Sequence, residues 1–248
     1  MIRKYRMLFL GAVLLVVPMD IKTMADGYNV LTGKNICKLV LSGPGEVHIF
    51  QVKKGEQEYF YAQGKPGLLR MSIRDNVLLC KEIKKNTVID QHNKYYIGLR
   101  NICAVSLIGN IKGIFATNII TPFLRIDLAD NASLTTYETS IKTKSLEVYS
   151  SDNSMAWFAG EVPFQLLHLS SHARYNALCM KTQEVYIKAV DQSIAELTCA
   201  YYDNGKGKKL QGTLSGIVSG KSKIWLHGNP RKTKLQFSDA SCVQHIMQ

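Results

Sequence analysis

The second half of the chain repeats one pattern of alternating apolar and polar residues. In each of six segments the alternation is followed by a short run of small and turn-forming residues. The segments occupy residues 124–132, 146–154, 165–173, 185–193, 210–218 and 233–241. Alternation with a period of two is typical of β-strands. One such strand in every ~20–25 residues is typical of a solenoid.

Aligning these segments with two earlier ones, which begin at Cys37 and Cys103, places like residues in columns. The third position of each unit forms the column Leu39, Val105, Ile126, Val148, Leu167, Ile187, Gly212 and Leu235. Because strand side chains alternate between faces, stacked units about 4.8 Å apart would form apolar ladders inside a coil. The pattern therefore predicts an all-β, single-domain parallel β-helix. The alternative is an antiparallel sandwich, which the lack of two-residue hairpins between repeats disfavours.

Residues 55–100 interrupt this pattern. Residues 58–62 have the composition of a strand, and residues 68–74 and 77–83 flank Asp75 and Asn76, a pair that favours a hairpin turn. We therefore expect a β-hairpin-like excursion here before the regular repeats begin.

Two segments resemble the head-GIN domain family, whose members are described as auto-transporter adhesins. They are residues 42–49, Ser-Gly-Pro-Gly-Glu-Val-His-Ile, and residues 96–110, which begin Tyr-Ile-Gly-Leu-Arg-Asn. The resemblance covers most of residues 36–248, although Ala-Asp-Asn-Ala and related corners replace the family's repeated Ser-Gly-Ser-Gly. It implies a right-handed parallel β-helix and an exported location, and it transfers no catalytic residue.

The amino terminus has the composition of a secretory signal. Arg3, Lys4 and Arg6 precede an apolar run over residues 7–17, which is short for a membrane span. Small residues then precede a plausible cleavage site before Asp26. We expect residues 1–25 to be a signal peptide and residues 26–248 to form the β-helix domain, in the periplasm or at the cell surface. An uncleaved anchor is the alternative, and no later stretch is long and apolar enough to span a membrane.

The net charge of +12 is concentrated near the carboxyl end. No acidic residue lies between Asn204 and Ser238, which include Lys206, Lys208, Lys209, Lys221, Lys223, Arg231, Lys232 and Lys234. Such a region attracts polyanions and anionic surfaces. A solvated, solubilising end of the solenoid is the alternative. We expect no specific nucleic-acid partner.

Export permits disulfides, and the repeat register suggests two candidate pairs. Cys179 and Cys199 each lie six residues after the end of a unit, so we expect them to stack on the inward face. Cys37 and Cys103 occupy the same register position. A spacing near 4.8 Å permits a disulfide, but parallel side-chain vectors disfavour it. Reduced, core-packed thiols are therefore the alternative for both pairs.

The sequence holds little evidence of catalytic chemistry. Asp130, Asp152, Asp191 and Asp239 share one corner position, where turn capping is a simpler role than cation binding. The chain lacks Gly-x-Ser-x-Gly, His-Glu-x-x-His and the phosphate-binding loop. We expect no catalytic residue, no metal site and no cofactor.

We therefore expect a non-enzymatic exported protein that binds a glycan or an anionic envelope polymer. The candidate contacts are the basic residues named above and four aromatic residues expected near consecutive turns of the coil, namely Tyr137, Tyr149, Trp157 and Tyr175. A polysaccharide lyase or hydrolase is the alternative by analogy of fold alone. A structural envelope protein is a third interpretation. The open ends of a solenoid are also compatible with an end-to-end dimer.

Overall fold

The computed structural model describes residues 28–31, 35–63, 69–82, 93–203, 208–228 and 230–246. Within these ranges the secondary structure is all β. No helix in this part of the chain is long and apolar enough to cross a membrane. The expected signal peptide, residues 1–25, lies outside the described residues.

The strands of the described part are named in chain order. The first are β1 (Tyr28–Val30), β2 (Lys38–Ser42), β3 (Gly45–Gln51), β4 (Tyr59–Gln63), β5 (Leu69–Arg74), β6 (Val77–Glu82), β7 (Lys94–Leu99), β8 (Ala104–Gly109) and β9 (Ile111–Phe115). The next are β10 (Ile119–Ile120), β11 (Phe123–Asp130), β12 (Ser133–Thr135), β13 (Ile141–Lys142), β14 (Ser145–Ser150), β15 (Met155–Trp157), β16 (Gly160–Glu161), β17 (Phe164–Leu169) and β18 (Arg174–Ala177). The last are β19 (Met180–Lys181), β20 (Glu184–Ala189), β21 (Ile194–Thr198), β22 (Ala200–Asp203), β23 (Lys208–Gln211), β24 (Thr213–Val218), β25 (Lys223–His227), β26 (Lys232–Phe237) and β27 (Cys242–Ile246).

Successive passes of the chain build two large sheets. From β8 onward, each pass adds one parallel strand to a ten-stranded sheet and then one to an eleven-stranded sheet. Four of these passes also add a strand to a small four-stranded sheet. Ile126 is in register with Val105 on one side and Val148 on the other, and Leu167 and Ile187 continue the column. The predicted stacking of these residues is therefore confirmed, and the parallel pairing contradicts an antiparallel sandwich.

The repeat predicted to begin at Leu210 begins four residues later. Val185 is in register with Leu214 instead of Leu210, so Gly216 takes the column position expected for Gly212. The shift arises because β22 and β23 form an antiparallel hairpin between β21 and β24. This hairpin lengthens the connection without adding a strand to either large sheet.

The excursion before the repeats contains the expected hairpin. β5 and β6 pair antiparallel, and Asp75 and Asn76 have positive φ values of 49° and 64°. Two left-handed residues in a row are typical of a tight hairpin turn. However, β6 pairs parallel to β2 and β7 pairs parallel to β3, so this segment extends both large sheets. β2 and β3 consequently lie between the excursion and the later repeats.

A left-handed residue lies at the end of β11, and one lies two residues after the end of each later strand of the ten-stranded sheet. The residues with φ of 57–66° at this corner are Asp130, Asp152, Ser171, Asp191 and Asp239, and Gly220 has a φ of 70°. Asp tolerates this conformation better than most residues, because its short side chain bonds nearby backbone. The Asp191 carboxylate accepts a hydrogen bond from the Ser171 amide of the preceding turn, 3.1 Å away. The Asp239 carboxylate accepts one from the Gly220 amide, also 3.1 Å away.

Apolar side chains from all three parallel sheets fill the interior between them. A hydrogen-bonded set of three polar residues, each at most 1% exposed, lies within this interior. Tyr175 donates a hydrogen bond to the Gln165 carbonyl at 2.5 Å, and the Gln165 amide donates to the Thr182 hydroxyl. These hydrogen bonds satisfy groups that would otherwise be costly to bury.

The cysteines are free thiols. The expectation that Cys179 and Cys199 both point inward is wrong, because Cys179 is exposed while Cys199 is buried. Cys179 lies in the turn after β18, where Met180 takes the inward position instead. Cys37 and Cys103 do occupy matching positions, with the Cys103 amide donating to the Cys37 carbonyl at 2.7 Å. Burial and the neighbouring Cys37 thiol raise the pKa of Cys103 to about 11.

Candidate functional site

A groove of about 410 Å³ runs across the outer face of the ten-stranded sheet. It crosses β8, β11, β14, β17 and β20, which lie side by side in that order. Five strands at the spacing of a sheet give the groove a length of about 19 Å. Its lining residues are Ser106, Ile108, Asp127, Leu128, Ala129, Tyr149, Ser150, Ser151, His168, Leu169, Ser170, Lys188 and Val190.

One outward column forms the polar wall of the groove. Ser106, Asp127, Tyr149, His168 and Lys188 are paired in register from β8 to β20. Each of these residues lies between two inward-facing residues of its strand, so the alternation that fills the core also points this column outward. The groove is therefore a direct product of the repeat.

The Tyr149 ring lies between the Arg125 guanidinium and the His168 ring. The Arg125 guanidinium lies 4.3 Å from the centre of the Tyr149 ring, which is a cation–π distance. The His168 ring stacks on Tyr149 with centroids 4.8 Å apart and planes inclined by 15°. Because β11 and β17 flank β14 on opposite sides, the two contacts cover both faces of the Tyr149 ring. Its edge is left for contact with a ligand.

Asp127 holds Arg125 in this position. The Arg125 Nε and Nη2 atoms donate to the Asp127 carboxylate at 2.9–3.1 Å. These hydrogen bonds are the main cause of a raised pKa for Arg125. Such a two-point pair fixes the orientation of the guanidinium as well as its charge.

His168 is held in its neutral form at neutral pH. Partial burial lowers its pKa below the usual 6.5, and the Lys188 ammonium lowers it further, while Glu147 acts in the opposite direction. A neutral imidazole can both donate and accept a hydrogen bond. The groove hydroxyls of Ser106, Ser151 and Ser170 have the same dual capacity.

The groove therefore combines ring edges, hydroxyls and a few charges with the apolar contacts of Ile108, Ala129 and Val190. A few oriented polar groups in an otherwise apolar concavity are typical of a small-molecule or oligomer binding site. The arrangement suits a long ligand with many hydroxyl groups better than a compact apolar one.

The predicted aromatic contacts do not form a single surface. Tyr149 lies in the groove, whereas Trp157 is 57% exposed on β15 of the eleven-stranded sheet. Tyr137 is 68% exposed and follows β12. The placement of Tyr175 on the outer surface is wrong, because its ring is 1% exposed and its hydroxyl bonds Gln165. Tyr175 occupies an inward position of β18, where the apolar ring extends the core.

None of the predicted basic contacts that lie within the described residues lines the groove. Lys206 is outside the described residues, and Lys208 and Lys209 belong to β23. Arg231, Lys232 and Lys234 are exposed at the start of and along β26, the edge strand of the ten-stranded sheet. Lys221 is exposed in a corner, and Lys223 is exposed on β25 of the other large sheet.

A second ring stack lies on the outer face of the eleven-stranded sheet. The His48 and Tyr96 rings have centroids 5.0 Å apart, and Tyr61 lies 5.6 Å from Tyr96. His48 also bonds the Glu46 carboxylate at 2.7 Å. Burial alone would raise the pKa of Glu46, but this bond together with Lys94 and Lys112 leaves it lowered.

Sequence reasoning missed Arg125, Asp127, His168 and Lys188 as members of one site. The repeat alignment contained the necessary information, because Asp127, Tyr149, His168 and Lys188 are the fourth residues of consecutive units. Arg125 is the second residue of its unit, and its contact with Tyr149 crosses between strands. The second ring stack was missed because Tyr61 and Tyr96 lie in the excursion and His48 lies after the unit that begins at Cys37, so none of them belongs to the aligned columns.

Comparison with solved structures supports the fold. A candidate adhesin of Bacteroides fragilis has a TM-score of 0.71 and 17% identity, over 88% of this chain and 96% of that one. A candidate lipid-binding protein of Parabacteroides distasonis has a TM-score of 0.64 and 10% identity, over 89% of this chain and 96% of that one. A candidate adhesin of Parabacteroides merdae has a TM-score of 0.64 and 14% identity, over 89% of this chain and 95% of that one.

At these identities the similarity shows a shared fold. No family model and no curated protein matches the chain. The expected similarity to adhesins is thus supported for the fold, and the neighbours carry the names of binding proteins instead of enzymes.

Proposed function

We propose that this chain is an exported, non-enzymatic binding protein that holds a glycan in the groove of the ten-stranded sheet. The observation that carries the proposal is the fixed wall in which Arg125 and His168 clamp the Tyr149 ring. A wall of oriented donors and acceptors about 19 Å long fits several sugar units, since each unit presents hydroxyl groups.

The proposal includes a right-handed parallel β-helix as the fold of this chain. The passes that alternate between the large sheets are those expected of a right-handed parallel β-helix, as the head-GIN resemblance implies. The named roles of the structural neighbours support an adhesin-like role at the cell surface or in the envelope. A lyase or hydrolase is less well supported, because among the described residues Asp127 is the one carboxylate that lines the groove, and it is paired with Arg125.

A glycan array probed with residues 26–248 tests the proposal. We expect binding that the double substitution Tyr149→Ala/His168→Ala abolishes, because it removes the wall of the groove. The matched control is Tyr96→Ala/His48→Ala, which removes the same two ring types from the other large sheet. Binding lost equally in both variants, or retained in the groove variant, would contradict the proposal.

Attraction of an anionic polymer to the carboxyl end is a second candidate. It is favoured by the exposure of Arg231, Lys232 and Lys234 on one edge strand. Binding by this surface should weaken steeply as salt rises from about 0.05 to 0.5 M, because exposed charges are screened over a few ångströms at high salt. Substitution of Lys232 and Lys234 by Gln should have the same effect, whereas the groove variant should leave this binding unchanged.

A further inference from the structure

Two positions along the groove, on β11 and on β20, present different charges. On β11, the Arg125 guanidinium beside the groove is occupied by both the Asp127 carboxylate and the Tyr149 ring. On β20, the exposed Lys188 ammonium has no acidic partner within ion-pair distance among the described residues. The two positions are three strands apart, which corresponds to about 14 Å.

We propose that the groove selects a glycan bearing an anionic group, that Lys188 receives this group, and that Asp127 keeps Arg125 from receiving a second one. The inference rests on the proposed function and adds its ligand class. An unpaired ammonium beside hydroxyls and a neutral imidazole is complementary to a carboxylate or sulfate on a sugar ring. At the β11 position, the Asp127 carboxylate repels an anion and presents acceptors for sugar hydroxyl groups.

The surroundings of Lys188 support this assignment. Its strand neighbour His168 has a lowered pKa, caused first by burial and then by Lys188, so at neutral pH it adds no second positive charge. Glu147 of β14 is the acidic group that acts on His168 from the other side. Lys188 is thus the unpaired cationic group among the residues that line the groove.

The inference predicts that Asp127 reduces the preference of the groove for acidic glycans. Asp127→Asn removes a negative charge and loosens the two-point hold on Arg125. The groove should then accept anions at both the β11 and the β20 positions. We therefore expect the substitution to increase the preference for acidic over neutral glycans, although it weakens a contact within the wall.

Calorimetric titration with two matched probes tests the inference. The probes are a galacturonate oligosaccharide and its fully methyl-esterified form, which has the same rings without the charges. We expect the wild type to prefer the acidic form. Lys188→Met should reduce affinity for the acidic probe by about fivefold and leave affinity for the ester unchanged. Lys188→Arg should restore the preference, and Lys144→Met, an exposed lysine before β14, is the control.

The outcomes are distinguished by the ratio of the affinity for the acidic probe to the affinity for the esterified probe. A ratio that Lys188→Met leaves unchanged, or that Asp127→Asn lowers, would overturn the inference. Equal binding of both probes, abolished by Tyr149→Ala/His168→Ala, would overturn it while the proposed function stands. If neither probe nor any array glycan binds, the proposed function and this inference fail together.

Discussion

The left-handed corner residues explain how successive passes of the chain are held in register. Each left-handed corner directs the chain from the ten-stranded sheet towards the eleven-stranded sheet. The sequence predicted Asp at these corners as a cap of its own turn. In the structure Asp191 and Asp239 instead accept amide hydrogen bonds from the preceding turn. The corner carboxylates therefore connect successive passes of the chain.

Two substitutions of Asp191 separate the stability cost of the left-handed conformation from the contribution of the side-chain hydrogen bond. Asp191→Ala places a Cβ-bearing residue without a capping group at φ 66°, and we expect it to lower the free energy of unfolding by about 2 kcal/mol. Asp191→Gly loses the hydrogen bond to the Ser171 amide but tolerates the conformation, so about 1 kcal/mol is expected. Urea denaturation measures both values. A glycine variant as destabilised as the alanine variant would contradict this account.

At the scale of elements, the inward polar residues fix how three strands pack together. Gln165 on β17 bonds Tyr175 on β18 and Thr182 after β19, so one network joins the three parallel sheets. The sequence alignment placed Gln165 in a mostly apolar column, with Thr233 as the other polar member, but offered no partner for it. Its partners lie in other sheets, and alternation along one strand does not specify contacts across the core.

Tyr175→Phe tests this network. Removal of the hydroxyl leaves the buried Gln165 carbonyl unsatisfied, and we expect a loss of about 1–3 kcal/mol in the free energy of unfolding. Tyr186→Phe, at an exposed tyrosine of β20, should change stability by less than about 0.5 kcal/mol. The double variant Gln165→Met/Tyr175→Phe should lose less than the sum of its single substitutions. Strict additivity would show that the two side chains are not coupled.

The order in which the cysteine thiols are alkylated tests the packing of the same strands. Native protein treated with iodoacetamide at pH 8 should be modified first at the exposed Cys179. Cys199 should be protected, because burial raises its pKa to about 12, and burial also raises the pKa of Cys80. Mass mapping measures the order. Rapid modification of Cys199 would contradict the packing, and a Cys37–Cys103 peptide that survives without reductant would show that this stacked pair is oxidised.

The fold was predictable where the repeat is regular and unpredictable where the chain leaves it. The columns through Ile126 and Val148 follow from alternation and constant spacing alone. The hairpin of β22 and β23 displaced the next column, because its residues alternate as the repeats do. The position of β6 and β7 beyond β2 and β3 depends on pairing between distant segments, which local pattern does not encode.

At the scale of the whole molecule, the groove exists because five successive passes present side chains at one height and on one face. The sequence identified Tyr149 as a contact, since an outward tyrosine is conspicuous in an alternating strand. It did not identify the groove, because the Arg125 and His168 contacts depend on neighbouring strands being in register. The basic carboxyl end was evident from composition, yet it is separate from this site.

The most direct test of the account is whether a bound glycan contacts the groove. Correlation spectra of the histidine ring C–H groups can follow a titration with the tightest glycan from the array, with His168→Gln and His48→Gln variants assigning the signals. We expect the His168 signal to shift in proportion to saturation while the His48 signal, from the ring stack on the other large sheet, stays in place. A His168 signal that does not move at full saturation would contradict the assignment of the groove as the binding site.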